Sequence, residues 1–421
     1  MDRVAFVVPT NIVNSKTPTP ILIYHIMKSI YQLSIATLLV AFIYTCGYSQ
    51  KHKYVHNSNG DKITVDYEGK ITLADNDKSI AAISDFGYFR FKKNSQEIYI
   101  KAEAGGKLTY TYYVRGKKKS YEPEGRAWFE NELPQLIRES GFAAESRVAR
   151  FYKQGGTSAV LDEIKQLEKD YAQYKYFKYL LRNHPVKNTE LTNVVDLIGT
   201  EIKSDYYKGK ILRNNHQKFL QNTKTTSSYV KAVANINSDY EKSKALRKAL
   251  QQHLPDQLMV KVIDASIGIN SDYEKSKVLR SITSKRPLSK KALDKVLVST
   301  ISINSDYEKS KVLRSILVSN SLNDQQMVNV INTVKKIGSD YEKSKILRKA
   351  LIKSPLSEFQ LKTILDVTMG INSNHEKAKV LMNVGKKMPA NNAALKKQFT
   401  KVAKTINSDH DYGKVMRSLN K

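Results

Sequence analysis

The stretch Ile269–Arg280 reads Ile-Asn-Ser-Asp-Tyr-Glu-Lys-Ser-Lys-Val-Leu-Arg, and it recurs unchanged at Ile303–Arg314. Near-copies of this signature, spaced 33 to 35 residues apart, begin at Ile202, Ile236, Ile337, Ile371 and Ile406. A fixed period of this size indicates one supersecondary unit that is repeated and stacked. An atypical first copy at Lys169–Lys178 is in phase, as expected of a capping repeat. The sequence therefore predicts a solenoid of about eight units over residues 155–421.

Each repeat is predicted to be a helical hairpin whose second helix begins inside Asn-Ser-Asp. Ser271 and Glu274 have the spacing of a capping box, in which the serine caps the helix and the glutamate reaches back. Asp272 adds negative charge at the positive end of the helix. Small residues recur at the position of Ser276, which predicts that two helices meet there. Helix initiation thus explains the acidic residues of the signature without catalysis.

Residues 27–49 are predicted to be a secretory signal peptide. Met27 and Lys28 precede an apolar run, and Gly47 and Ser49 place small residues before a cleavage site. Residues 1–26 are then predicted to be an upstream extension from a mis-assigned start. The predicted location is periplasmic or secreted. Two alternatives remain open: an uncleaved membrane anchor over residues 29–48, and lipidation at Cys46, the single cysteine.

Residues 50–123 are predicted to form a small antiparallel β domain. Segments rich in β-branched and aromatic residues, separated by turn residues, begin at Lys62, Lys70, Tyr88, Glu97 and Leu108. A helical pattern begins near Glu124, so residues 124–154 are predicted to be a helical connector. The predicted fold class is α+β, with an N-terminal antiparallel β-meander followed by a right-handed α-solenoid of about eight helical hairpins.

The hairpin period and the capped second helix resemble the α-solenoid class that includes HEAT and tetratricopeptide repeats. The tetratricopeptide repeat shares the length of about 34 residues. The HEAT repeat shares an Asp at the turn between helices and a basic residue further along the second helix, as in Asp272 and Arg280. The Ser-Asp-Tyr-Glu-Lys-Ser-Lys signature, after a leader and a small β segment, resembles that of a group of exported bacterial repeat proteins. The resemblance implies a scaffold that binds other macromolecules.

The composition favours an acidic partner. The chain carries 70 Lys and Arg against 40 Asp and Glu, a formal net charge of +30, and such a surplus attracts acidic polymers and proteins. No Gly-rich phosphate loop, Gly-x-Ser-x-Gly or His-Glu-x-x-His motif occurs. We therefore predict no enzymatic activity, no cofactor, and no catalytic or metal site, and no small-molecule substrate is evident.

One flank of the second helix is the candidate binding surface, because Tyr, Lys and Arg recur on the same helical face. The predicted partner-binding residues are Tyr240, Tyr273, Tyr307 and Tyr341, with Lys244, Lys277, Lys311 and Lys345, and with Arg247, Arg280, Arg314 and Arg348. For Tyr and Arg we favour a structural interpretation, in which Tyr packs on the next repeat and Arg pairs with the Asp of a neighbour. Lys is then the exposed member of the set.

The leading functional hypothesis is an exported, non-enzymatic scaffold or adaptor that binds a protein or an acidic polymer of the cell envelope along this face. In the alternative hypothesis, the β domain binds a ligand and the solenoid is a spacer or an output surface. Nucleic acid would use the same basic face, but the leader disfavours it. Membrane contact is expected only if the leader is uncleaved.

Overall fold

The computed structural model describes residues 51–58, 61–284, 287–319, 322–352, 356–389 and 391–419. The predicted leader and the predicted upstream extension lie outside these residues. The described chain falls into two compact units. The first contains the residues before Thr72 together with Ala82–Arg126, and the second contains Thr72–Ala81 and the chain from Ala127 onwards.

The first unit is built on an antiparallel sheet, as predicted. The strands of the chain are β1 (His52–Ser58), β2 (Asp61–Glu68), β3 (Ile71–Leu73), β4 (Ile80–Ile83), β5 (Tyr88–Lys93), β6 (Gln96–Ala102), β7 (Leu108–Val114) and β8 (Lys117–Lys119). Six of them form one sheet in the order β1-β2-β5-β6-β7-β8. Phe89 and Phe91 are buried and the intervening Arg90 is exposed, so one face of the sheet carries the core and the other is polar.

The predicted strand that begins at Lys70 is not part of this sheet. β3 and β4 pair separately as a two-stranded sheet. The chain leaves the main sheet at Gly69, whose φ of +97° favours glycine. β8 was not predicted because its three lysines have no apolar face; it pairs with β7 through a turn at Arg115 and Gly116, both with positive φ.

An ion-pair network holds the segment Thr72–Ala81 within the second unit. Asp77 Oδ2 lies 2.7 Å from a terminal guanidinium nitrogen of both Arg147 and Arg150. Arg147, which is 5% exposed, also lies 2.9 Å from Glu163. Each buried charge of this network has an opposite charge beside it. A role in holding the fold together is therefore enough to explain the network.

Eighteen helices follow the strands in the described chain. The first is α1 (Arg126–Ser140), and α6 (His216–Phe219) is a short linking turn. The first helices of the hairpins are α2 (Ala144–Lys165), α4 (Asn188–Glu201), α7 (Thr223–Ala234), α9 (Asp256–Ile267), α11 (Lys290–Ile301), α13 (Asp324–Val334), α15 (Glu358–Met369) and α17 (Ala393–Ala403). The second helices are α3 (Asp170–Asn183), α5 (Asp205–Asn214), α8 (Asp239–Ala249), α10 (Asp272–Thr283), α12 (Asp306–Ser319), α14 (Asp340–Ile352), α16 (Asn374–Gly385) and α18 (Asp409–Arg417).

These eight hairpins stack as a helical solenoid, which confirms the predicted fold class; the predicted right-handedness stays a prediction. First helices pack on first helices, and second helices on second helices. One continuous apolar core runs from Ala144 to Val415, which is the arrangement expected when each hairpin buries its face against its neighbours. In the described part of the chain, no helix has both the length and the apolar character needed to cross a bilayer.

The serine of each signature caps its helix, but the predicted capping box is wrong in one half. Ser271 Oγ accepts a hydrogen bond from the backbone N–H of Glu274 at 3.3 Å. The backbone N–H of Ser271 does not reach the Glu274 carboxylate, because it donates to Asp239 of the preceding repeat at 2.7 Å. Glutamate is therefore free for another contact.

That aspartate contact repeats along the solenoid. In six successive repeats the Asp at the start of the second helix accepts two backbone N–H groups from the turn of the next repeat. The Ser N–H lies 2.7–2.8 Å from the carboxylate of Asp170, Asp205, Asp239, Asp272, Asp306 and Asp340. Asn374 makes a single longer bond, of 3.2 Å, to Asn407. The Asp therefore links successive repeats, in addition to favouring its own helix start.

The small residue of the signature lies where second helices meet, as predicted. Ser243, Ser276, Ser310 and Ser344 are fully buried. Ser276 Oγ donates to the Glu308 carboxylate, and Ser310 Oγ donates to the Glu342 carboxylate. The glutamate of one repeat therefore accepts a hydrogen bond from the serine of the preceding repeat, at a fully buried position that suits a small residue.

Candidate binding groove along the second helices

The two lysines of each signature have different environments. Lys275 is 6% exposed and its Nζ donates to Ser302 Oγ at 3.1 Å, beside the end of α11. Lys309 and Lys343 make the corresponding contacts with the backbone carbonyls of Lys336 and Gly370. An ammonium group at the carboxyl end of a helix is favourable. The first lysine is therefore structural.

The second lysine stacks on the tyrosine four residues before it. Its Nζ lies over the ring at 4.6 Å for Lys244 and Tyr240, 4.7 Å for Lys277 and Tyr273, 4.7 Å for Lys311 and Tyr307, and 5.2 Å for Lys345 and Tyr341. This is the geometry of a cation–π contact. The stack holds the ammonium group in a defined position on the surface.

The predicted packing of the tyrosines against the next repeat is wrong. Tyr240, Tyr273, Tyr307 and Tyr341 are 52–53% exposed. The lysines are less exposed than expected, since the side chains of Lys277 and Lys311 are each 22% exposed and lie 3.2 and 3.1 Å from the glutamate three residues earlier. Each tyrosine ring contacts the lysine of its own helix instead of packing on the next repeat.

The predicted pairing of each arginine with a neighbouring Asp is also wrong for the described repeats, because the Asp carboxylates accept backbone N–H groups instead. The buried Nε atoms of Arg247, Arg280 and Arg348 have no hydrogen-bond partner among the described residues. Arg314 differs, since its Nε donates to the backbone oxygen and the Oγ of Ser310. In an earlier repeat, Arg213 at the matching position forms an ion pair with Glu241.

These side chains meet in one open groove of about 1150 Å³. We call it the basic groove; its lining residues are Arg247, Lys277, Arg280, Ser281, Ser284, Tyr307, Lys311, Arg314, Ser315, Val318, Lys345, Arg348, Lys349 and Ile352. Eight of the twelve predicted residues line it. Lys244, Tyr240, Tyr273 and Tyr341 lie on the same helical faces but are not among its lining residues.

No acidic side chain occurs among the described residues that line the basic groove, and eight of them are Lys or Arg. Glutamates outside the lining pair with Lys277 and Lys311 and offset part of this charge, but the described lining stays predominantly basic. This positive surplus would attract an anion into the groove. The arrangement can therefore bind negative charge.

Sequence reasoning missed six lining residues, although a signal for them exists. Ser281, Ser315 and Lys349 directly follow the arginine of their repeat, and Ser284, Val318 and Ile352 lie four residues after it. Positions three and four apart share a helix face. The groove ends at α14, and the next second helix, α16, has Met382 at the arginine position.

The first unit has a smaller polar pocket on the open face of the sheet. It measures about 500 Å³ and is lined by Arg90, Lys92, Ser95, Glu97, Tyr99, Tyr113 and Gly116. Arg90 Nε lies 2.7 Å from the Glu97 carboxylate. The pocket thus neutralises part of its charge within its own lining, whereas the glutamates that pair with Lys277 and Lys311 lie outside the lining of the basic groove.

No protein-family model matches this chain, and neither a curated protein nor a solved structure matches it.

Proposed function

We propose that this protein is an exported, non-enzymatic scaffold or adaptor that binds an acidic macromolecular partner in the basic groove. The observation that carries the proposal is the groove lining, which has eight basic and no acidic side chains among its described residues. A continuous surface across stacked repeats is the usual recognition surface of solenoids. Export rests on the predicted leader at 27–49 and on the resemblance of the signature to exported bacterial repeat proteins.

The experiment is a binding titration with fluorescently labelled poly-L-glutamate, followed by anisotropy. The groove variant carries Lys277→Glu, Lys311→Glu and Lys345→Glu. The matched control carries Lys290→Glu, Lys291→Glu and Lys397→Glu, which change the net charge equally at exposed positions on first helices. We expect the groove variant to lose about tenfold or more in affinity and the control to lose far less, because only the groove positions contact the ligand.

Circular dichroism of both variants establishes that they are folded. Equal weakening of the two variants would show that net charge, and not the groove, attracts the polymer. No binding by the unmodified chain at low ionic strength would contradict the proposal directly, since electrostatic attraction is strongest there.

The β domain is the second candidate binding site, on the basis of the pocket beside Arg90 and Lys92. The same titration separates the two hypotheses. A variant with Arg90→Gln and Lys92→Gln is expected to bind like the unmodified chain if the groove is the site. Loss of binding in this variant alone would instead favour the sheet, with the solenoid as spacer or output surface.

A further inference from the structure

The basic groove has a regular spacing along its length. Each of the second helices α10, α12 and α14 supplies a lysine and, three residues later, an arginine on the same face, as in Lys277 and Arg280. We call such a pair a rung. Three rungs, from α10, α12 and α14, follow Arg247 of α8 in the groove lining. Second helices pack side by side, so successive rungs are separated by about 8–10 Å, the usual distance between packed helices.

This spacing selects among acidic ligands. A polyproline II chain has three residues per turn and a rise of about 3.1 Å per residue, so every third side chain returns to the same face after about 9.3 Å. In a β-strand the same face recurs after about 6.6–6.8 Å. The polyproline II repeat falls within the rung spacing and the strand repeat does not. Four acidic residues at every third position span about 28 Å, which matches Arg247 and the three rungs.

The remaining lining residues suit a peptide. The hydroxyl groups of Ser281, Ser284 and Ser315 each make one hydrogen bond within the solenoid. Each oxygen can still accept an N–H from a polyproline II backbone, which has no internal hydrogen bonds. Val318 and Ile352, 59% and 68% exposed, place an apolar side chain at the same position of two successive repeats. A single-stranded nucleic acid would instead require a series of aromatic faces for stacking, and Tyr307 is the one aromatic side chain among the described residues that line the groove.

We infer that the basic groove binds an extended acidic peptide segment of a partner protein, with Asp or Glu at every third position. This inference rests on the proposed function and narrows its ligand. The carboxylates contact successive rungs, and the residues between them contact the serines and the apolar rim formed by Val318 and Ile352.

Three labelled ten-residue peptides of identical composition test the spacing against the full chain. Each contains four Glu, three Pro and three Ala. Glu occupies positions one, four, seven and ten in the first peptide, alternate positions in the second, and four consecutive positions in the third. We expect the first peptide to bind about tenfold more tightly than the others, because it alone places one carboxylate at each rung. Equal affinities would overturn the spacing inference.

A rung variant with Lys277→Gln and Arg280→Gln tests the location. The variant is expected to bind the first peptide about tenfold more weakly than the unmodified chain does. The difference in affinity between the first and third peptides is expected to shrink. Arg280→Lys, which keeps the charge, is expected to recover most of the affinity, and Lys290→Gln with Lys291→Gln is the exposed control. Melting curves of each variant separate lost binding from lost folding. An unchanged affinity in the folded rung variant would overturn the inference.

The two proposals fail in different ways. If poly-L-glutamate binds in the groove and the three peptides do not differ, acidic binding stands and the every-third spacing is wrong. If only a sulfated polysaccharide binds in the groove, acidic binding stands and the peptide is wrong. If no acidic probe binds in a groove-dependent manner, both are wrong.

Discussion

At the scale of single residues, the two lysines of each signature have different roles because they differ in their surroundings. Lys275 lies against the end of the next first helix, whereas Lys277, two positions later, stacks on an exposed tyrosine. In the first repeat, Lys175 occupies the position of the second lysine and is 5.4 Å from the Tyr171 ring. Burial there, with a smaller contribution from Lys178, lowers the pKa of the Lys175 ammonium group to about 8.

This lowered pKa predicts a pH-dependent stability. Between pH 8 and about 10.5 the unfolded chain binds a proton at Lys175 that the folded chain does not, so the contribution of Lys175 to the free energy of unfolding rises with pH across that window. The full shift corresponds to about 3 kcal/mol. Below pH 8 the folded chain holds Lys175 in its charged form, which lowers the free energy of unfolding. Lys175→Met removes this loss of stability.

The measurement is denaturant unfolding of the unmodified chain and of Lys175→Met from pH 7 to 10.5. The variant is expected to be more stable at pH 7, and its advantage should shrink as pH rises. Lys224→Met, at an exposed position of α7, is the control and should show no such trend. A stability difference that is independent of pH would contradict the buried ammonium group.

At the scale of the helices, neighbouring repeats are joined through main-chain groups. The Asp272 carboxylate lies 3.1 Å from the backbone nitrogen of Asn304 and 2.8 Å from that of Ser305. A charged acceptor shared by two N–H groups is among the stronger hydrogen-bond arrangements. This contact orients each second helix against the next and so positions successive rungs.

Removing one of these carboxylates should loosen one junction. Asp272→Ala is expected to cost about 1–3 kcal/mol in the free energy of unfolding, because two N–H groups lose their acceptor. Asp272→Asn should cost less, since Asn374 bonds Asn407 at the matching position. Asp196→Ala, at an exposed position of α4, should change stability by less than about 0.5 kcal/mol.

Hydrogen exchange gives a local readout of the same change. The amides of Asn304 and Ser305 are expected to lose protection in Asp272→Ala, and the corresponding amides Asn372 and Ser373 are expected to keep it. Unchanged protection at Ser305 would show that the carboxylate does not hold this turn.

At the scale of the whole solenoid, each hairpin contacts its own neighbours, so stability is approximately a sum of repeat and junction contributions. The identical phrases at Ile269–Arg280 and Ile303–Arg314 mean that one unit can replace the next. The basic groove depends on the same regularity, because each repeat contributes one part of its lining.

Deletion of residues 269–302 therefore removes one repeat in register. The shortened chain is expected to fold with an unchanged helical signal per residue and to bind poly-L-glutamate more weakly, because the groove has lost Lys277 and Arg280. Deletion of residues 269–285, half a repeat, is the control. It places helices of the same kind in sequence, and it should lose cooperative unfolding. Equal behaviour of the two deletions would contradict the assigned period.

The sequence alone determined the features that depend on local and periodic interactions. The period, the hairpin, the serine caps and the buried small residue all follow from spacing along the chain, because capping and helical faces involve residues a few positions apart. The twelve predicted partner-binding residues follow from the same periodicity. The strand that begins at Lys70 was assigned to the main sheet and β4 was not predicted, since the pairing of β2 with β5 across the intervening strands leaves no local signal.

Only the tertiary structure decided which of these twelve side chains contact a neighbouring repeat and which stay exposed. Position along a helix places Tyr273, Lys277 and Arg280 on one face, but the packing of successive hairpins decides how much of that face stays open. That packing leaves the tyrosines exposed and directs the Asp carboxylates to backbone N–H groups. Within the part of the chain that the structure describes, it also leaves Nε of three arginines without a partner. The physical reason is that these contacts join groups about thirty residues apart, whose geometry is set by how the repeats stack and not by the sequence of any one repeat.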